Sequence, residues 1–251
     1  MKEQNQREEK QQAGELVLKG GFLTWIENVW YHYKWPILVV TFFVVLGLVC
    51  FVQCGTREAA DLTVAYAGGY TLAGAEREGV ADAIEGAMKV KQSNAQAGEQ
   101  SPTIMMATFS VYTDDAMKAL SKDSEGNVSA SAYSSMKNVS TENFKAFSSY
   151  VMTGESAVWL VSEYVYSQMN LDEIAVPLTE VFGTLPTGAY NEYAVRLRDT
   201  AFYHYYDALK VLPEDTLILL PRSYVWGESA NAESYAQFEQ LFRAIVEFQA
   251  P

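Results

Sequence analysis

Sixteen consecutive residues, Ile37 to Val52, carry no charge, and thirteen of them are Ile, Leu, Val or Phe. A helix needs about 20 mostly apolar residues to cross a hydrocarbon core of roughly 30 Å. Residues 35–54 reach that length. At about −0.3 to −0.6 kcal/mol for each strongly apolar residue, insertion gains roughly −4 to −8 kcal/mol. Trp30, Tyr31, Tyr33 and Trp35 precede the run as an aromatic belt, and Lys34 can extend to the headgroups. A transmembrane helix is predicted over 35–54.

The pattern before it is different. Leu18, Phe22, Trp25, Ile26, Val29 and Tyr33 recur at helical spacing. That predicts an amphipathic juxtamembrane helix over 15–34, lying at the interface or docking a membrane partner. Residues 1–14 are Gln-, Glu- and Lys-rich without apolar period, which predicts a disordered tail.

After a linker over 55–60, apolar residues return in short runs. Leu62, Val64 and Tyr66 alternate, as in a strand over 61–67 that ends at Gly68-Gly69. Val80, Ala83, Ile84, Ala87 and Met88 mark a helix. Residues 92–102 read as a polar loop and 103–112 as a second strand. Asp114 is positioned to cap a short helix to Leu120. The Ser/Asn/Gly-rich stretch 121–140 reads as a mobile loop. Ser140 or Thr141 then caps a helix with Phe144, Phe147 and Val151 on one face, stopped by Gly154.

Two continuous apolar runs, Val158 to Val161 and Leu217 to Leu220, are expected of strands buried on both faces. Residues 164–169 read as helix. Pro177, Gly183, Pro186 and Gly188 break up residues 171–200. Tyr235, Phe238, Leu241, Phe242, Ile245 and Phe248 form the strongest helical stripe. Strands alternating with helices predict an α/β fold: a three-layer α/β/α lobe over 61–251 with a largely parallel sheet.

Charge assigns the two sides. Lys2, Arg7, Lys10, Lys19 and Lys34 precede the apolar run, whereas only Arg57 lies in the first twenty residues after it. By the positive-inside rule the N-terminus is cytoplasmic and the lobe is extracellular, in the cell membrane. A cleaved signal peptide would have a shorter apolar region and leader. Neither Cys50 nor Cys54 follows a small residue, as lipidation there would require. The segment therefore reads as an uncleaved, single-pass signal anchor in contact with the lipid bilayer.

The net charge of −13 belongs to the part after residue 34, which disfavours nucleic acid as a partner. Both cysteines lie at the membrane segment, so the lobe is held without disulfides.

Catalytic patterns are absent from the sequence. His204 is the one histidine of the lobe, and no Gly-x-Ser-x-Gly elbow accompanies it. Gly68-Gly69 is not followed by the Lys-Ser/Thr of a phosphate loop. The expectation is a protein that is not an enzyme, with no cofactor and no metal. In a parallel sheet, ligands bind beyond the carboxyl ends of the strands. Candidate ligand-binding residues there are Gly68, Gly69, Tyr70, Asp114, Glu163, Tyr164, Arg222, Tyr224 and Trp226. Arg196, Arg198 and Asp199 read as a structural ion-pair cluster, and Tyr203, Tyr205 and Tyr206 as half-buried packing.

The stretch from Asn143 to Thr179 has a further cadence. Phe144-Lys145-Ala146 is followed by Thr153-Gly154-Glu155, an apolar strand through Leu160, then Tyr164, Tyr166, Ile174 and Pro177-Leu178. It resembles the first lobe of extracellular solute-binding proteins of bacterial ABC transporters. The chain also looks like bacterial single-pass surface proteins that carry such a lobe. The resemblance implies a role in transport or sensing, with a membrane permease or an envelope protein as partner. The 197 residues after Cys54 leave little room for a second lobe. The alternative is a structural or assembly subunit of a membrane complex without a small-molecule ligand.

Overall fold

The computed structural model describes residues 21–55, 60–93, 102–154, 156–222 and 232–251. The chain divides into two units, Met1–Glu58 and Ala59–Pro251. The tail predicted for 1–14, most of the linker and most of the polar loop over 92–102 lie outside the described residues; Gln92 and Ser93 belong to a helix.

The first unit contains one helix, α1, Gly21–Gly55. Residues 15–20 of the predicted juxtamembrane helix lie outside the described residues; the rest of it and the membrane segment run as one continuous 35-residue helix. At 1.5 Å per residue it extends about 50 Å, well beyond a hydrocarbon core. Pro36 lies inside it. Proline lacks only its own N–H and so leaves one carbonyl, a turn earlier, without its helical donor. Tyr33 to Cys50 is long and apolar enough to cross a membrane, and it is unburied. Trp30, Tyr31, Tyr33 and Trp35 are exposed, and the Lys34 ammonium lies 5.8 Å from the Tyr31 ring centroid.

The second unit is α/β. Its elements are β1 (Leu62–Gly68), α2 (Gly74–Ser93), β2 (Ile104–Ser110), α3 (Asp114–Leu120), α4 (Ala130–Thr153), β3 (Val158–Ser162), α5 (Glu163–Tyr166), α6 (Leu171–Ile174), α7 (Leu178–Phe182), β4 (Ala194–Arg196), α8 (Ala201–Tyr205), β5 (Thr216–Leu219) and α9 (Ala232–Val246). Two 3-10 turns, Leu197–Asp199 and Asp207–Val211, flank α8. The sheet order is β2-β1-β3-β5-β4. β1 is parallel to β2 and β3, whereas β5 is antiparallel to β3 and β4.

The sheet is therefore mixed around a parallel core, which corrects the largely parallel sheet expected. An apolar run reports burial and not strand direction. The expectation missed β5's reversal for that reason, and β4 because it is only three residues long.

Side chains alternate between the faces of each strand. Leu62, Val64, Tyr66, Leu160 and Ile218 pack with Val80 and Ile84 of α2 and with Leu241, Phe242 and Ile245 of α9. Ala65, Ala67, Trp159, Val161 and Leu217 pack with Phe147 and Val151 of α4 and with Val165 and Tyr166.

The stretch over 121–140 departs most from expectation. It is a loop only to Ser129, which caps α4 by accepting the Ala132 N–H. Ser140 is instead buried inside α4, and the Thr141 hydroxyl donates back to the Lys137 carbonyl. Composition misleads here: Ser and Asn lower helix propensity by only tenths of a kcal/mol, about 0.5 each. Phe144, Phe147 and Val151 supply the apolar face. At α3 the cap is Thr113, whose hydroxyl accepts the Ala116 N–H at 3.2 Å; Asp114 is the first helical residue. Gly154 ends α4 with φ 69°, its N–H donating to the Val151 carbonyl.

Candidate functional site

The carboxyl ends of β1, β2 and β3 share one edge of the sheet. Gly68, Gly69, Tyr70, Asp114, Glu163 and Tyr164 all come to it. Arg222 does not. It follows β5, which runs the other way, so it sits at the opposite edge. There its N–H donates to the Ile174 carbonyl at 2.9 Å and its guanidinium faces Glu180 at 3.6 Å. Tyr224 and Trp226 lie outside the described residues. The end of β4 takes the place expected for Arg222 and brings Arg196 to the edge.

Most of the polar groups at this edge hold the fold. Gly68 passes over the buried Tyr66, where an added Cβ would stand 2.7 Å from the phenol oxygen. Burial pushes the Tyr66 hydroxyl well above its ordinary pKa, only partly offset by the nearby Tyr70 backbone. The Tyr70 hydroxyl donates to Glu76 at 2.8 Å, and the other Glu76 oxygen accepts the Ala73 N–H at 2.8 Å. Thr71 bridges the hydroxyls of Ser110 (2.7 Å) and Tyr112 (2.9 Å).

Asp114 pairs with Lys118 and accepts the Tyr133 hydroxyl. Lys118 first, then Tyr133, hold its carboxyl below the usual range. Glu163 faces Arg196 at 2.5 Å. Arg196 stacks over the Tyr190 ring at 4.9 Å and lies 3.9 Å from Asp199. Arg198 joins Asp199 at 3.6 Å to Glu214 at 2.6 Å. The ion-pair cluster expected of Arg196, Arg198 and Asp199 is thus present and takes in Glu163.

Tyr164 is different. It is 38% exposed and lines a cleft of about 190 Å³ with Tyr112, Lys137, Ser140, Thr141, Phe144 and Gln168. A second cleft of about 200 Å³ shares Phe144 and Gln168 and runs on past Val151, Met152, Met169 and Ile174. Together they form a groove between α4 and the segment after β3. It is lined mainly by apolar surface along its length, with Lys137, Ser140 and Thr141 at the strand ends. The Ser140 hydroxyl is committed, accepting the Tyr112 N–H at 2.9 Å. The Tyr164 hydroxyl makes no hydrogen bond among the described residues, and the Lys137 ammonium makes no direct ion pair there, though its charge helps hold the Asp114 carboxyl low.

Sequence reasoning reached Tyr164 and missed Lys137, Ser140 and Thr141, which fell in or beside the supposed loop. The signal that finds them is the 3–4 spacing of Tyr133, Lys137, Ser140 and Phe144 behind the Ser129 cap.

A larger cavity of about 460 Å³ lies where α2 and α9 end, with Lys91, Arg243 and Glu247 on its walls. Its Lys91–Glu247 pair is 3.7 Å apart. Burial first of all lowers the Lys91 pKa. Since α2 runs from the carboxyl ends of the strands back to β2, this cavity belongs to the opposite edge. Tyr205, Tyr206, Phe202 and Phe248 form an aromatic cluster with ring centroids 4.8–5.6 Å apart. Tyr206 is half-buried and Tyr205 exposed. Among the described residues no three His, Cys, Asp or Glu side chains are grouped to hold a metal ion. No family model, curated protein or solved structure matches the chain.

Proposed function

We propose that this chain is a non-enzymatic, single-pass membrane protein that presents an extracellular binding lobe of solute-binding type. In this reading α1 is an uncleaved anchor with its N-terminus in the cytoplasm, and the α/β unit is a three-layer lobe. The cadence of residues 143–179 and the charge asymmetry around α1 support the reading. The observation that carries it is the groove beside Tyr164, at the carboxyl ends of three parallel strands, where ligands of open α/β sheets bind. Tyr164 and Phe144 offer ring faces and Lys137 offers a cation, a set that suits a small polar solute or a short peptide.

The test is thermal shift of the detergent-solubilised chain against amino acids, short peptides and sugars. A ligand at about 100 times its Kd stabilises by roughly 2.7 kcal/mol. A binder should raise Tm in the wild type and far less in Tyr164→Ala and Lys137→Ala. A screen without any binder, or a rise untouched by both substitutions, would contradict the proposal.

A second reading rests on α1. The helix is longer than a hydrocarbon core is thick, and Trp30, Tyr31, Tyr33 and Trp35 are exposed. As a structural subunit, the protein would use the part of α1 before Pro36 to dock a permease or envelope protein. Co-purification of a membrane partner, lost on Trp25→Ala and Trp30→Ala, would favour this over ligand binding.

A further inference from the structure

The two edges of the sheet are finished differently. At β4 the chain folds back over its own edge. Tyr190 N–H donates to the Ala194 carbonyl at 2.8 Å, Arg196 N–H donates to the Gly188 carbonyl at 3.2 Å, and Ala189 bridges Val195. At β2 no backbone among the described residues pairs with the outer side of the strand.

The ladder to β1 uses alternate residues of β2. Leu62 N–H donates to the Thr103 carbonyl at 3.2 Å, and Val111 N–H donates to the Gly68 carbonyl at 2.8 Å. A strand residue points its N–H and C=O the same way. Thr103, Met105, Ala107, Phe109 and Val111 therefore face β1, and Ile104, Met106, Thr108 and Ser110 face outward.

Only the two ends of that outward row are closed. Ile104 N–H donates to Glu85 at 2.9 Å, and the Ser110 carbonyl accepts from the Asn143 amide at 3.2 Å. Among the described residues the N–H groups of Met106, Thr108 and Ser110 and the carbonyls of Ile104, Met106 and Thr108 have no partner.

Natural edge strands are normally blunted by shortness, a charge, a proline or a bulge. β2 has seven residues, none charged and none proline, in a chain of net charge −13.

The open groups are complementary to themselves. With a two-fold axis through Ala107, an antiparallel second copy sets Met106 opposite Thr108 and Ile104 opposite Ser110. Met106 N–H then meets the Thr108 carbonyl of the other copy, and Thr108 N–H meets its Met106 carbonyl. At both ends of the row Glu85 holds the Ile104 N–H and Asn143 holds the Ser110 carbonyl, so the seam is confined to the stretch Met106 to Thr108. No charged residue of the strand itself opposes another. On one face Met105, 53% exposed, lies across from Phe109, an apolar cross-strand pair.

We infer that β2 is a self-pairing edge, and that two copies of this chain join through it into one continuous sheet. This is an isologous dimer, the commonest closed assembly. It is independent of the groove beside Tyr164.

Disulfide trapping tests it on the full chain in detergent, with Cys50 and Cys54 replaced by Ser. Ala107 faces its own copy across the axis as a non-hydrogen-bonded pair, with Cα atoms about 4.5 Å apart, inside disulfide range. The 105–105 and 109–109 separations across the axis are about 13 Å, well outside it. Ala107→Cys should therefore cross-link under mild oxidation, at least about tenfold more than Met105→Cys or Phe109→Cys.

Thr108→Pro removes an N–H that β1 does not use, so the circular dichroism spectrum should persist while the sedimenting species becomes a monomer. Ala107→Lys, which places two ammonium groups face to face, should do the same without a proline. A monomeric wild type, equal cross-linking at all three positions, or a dimer that survives both Thr108→Pro and Ala107→Lys would overturn the inference.

Discussion

Ser140 shows how the polar residues at the carboxyl edge are used. Its hydroxyl is buried, accepts the Tyr112 N–H and so pins the end of β2 to α4. Ser140→Ala strands that donor, which costs about 1–3 kcal/mol. Urea unfolding of residues 59–251 should show this loss, and a change below about 0.5 kcal/mol would assign the bond no structural role. Glu163 and Asp114 look like ligand residues in the sequence because they follow strands. Each proves to face a cation of its own chain, Arg196 and Lys118. A sequence shows a carboxylate but not the partner that folding supplies. Tyr164 was legible because position after a strand was enough to find it. Arg222 was not, since its place depends on strand direction.

Elements with strong periodicity were legible within a few residues. β1, β3 and α2 emerge from alternation, continuous burial and the 3–4 stripe. α9 emerges likewise, spanning Ala232–Val246 where the stripe runs on to Phe248. Elements lacking such a signal were not: β4 is too short to alternate, and the first three turns of α4 are hidden by serines. Where an element stops is better encoded. Gly154 holds φ 69°, a region costly for side chains, whereas Gly74 at the start of α2 has open space around it. Gly154→Ala should destabilise the unit by about 1 kcal/mol, and Gly74→Ala should leave it equal or slightly more stable. Equal effects in urea unfolding would remove the left-handed cap from the account.

At the scale of the molecule, the chain combines an exposed apolar helix with an acidic unit that builds its own core on both faces of a sheet. Neither part explains the other without a membrane. In water the Tyr33–Cys50 surface would be an aggregation hazard, and the α/β unit has a packed core without it. The proposal that α1 is a membrane anchor, and the side on which it places the α/β unit, are therefore central. Glu125 lies in an exposed turn between Asp123 and Asn127. In a Cys50→Ser, Cys54→Ser background, Glu125→Cys can be probed on intact cells with a membrane-impermeant maleimide. The account predicts labelling before permeabilisation, in the membrane fraction. Labelling only after the cells are opened, or recovery of the protein in the soluble fraction, would contradict it.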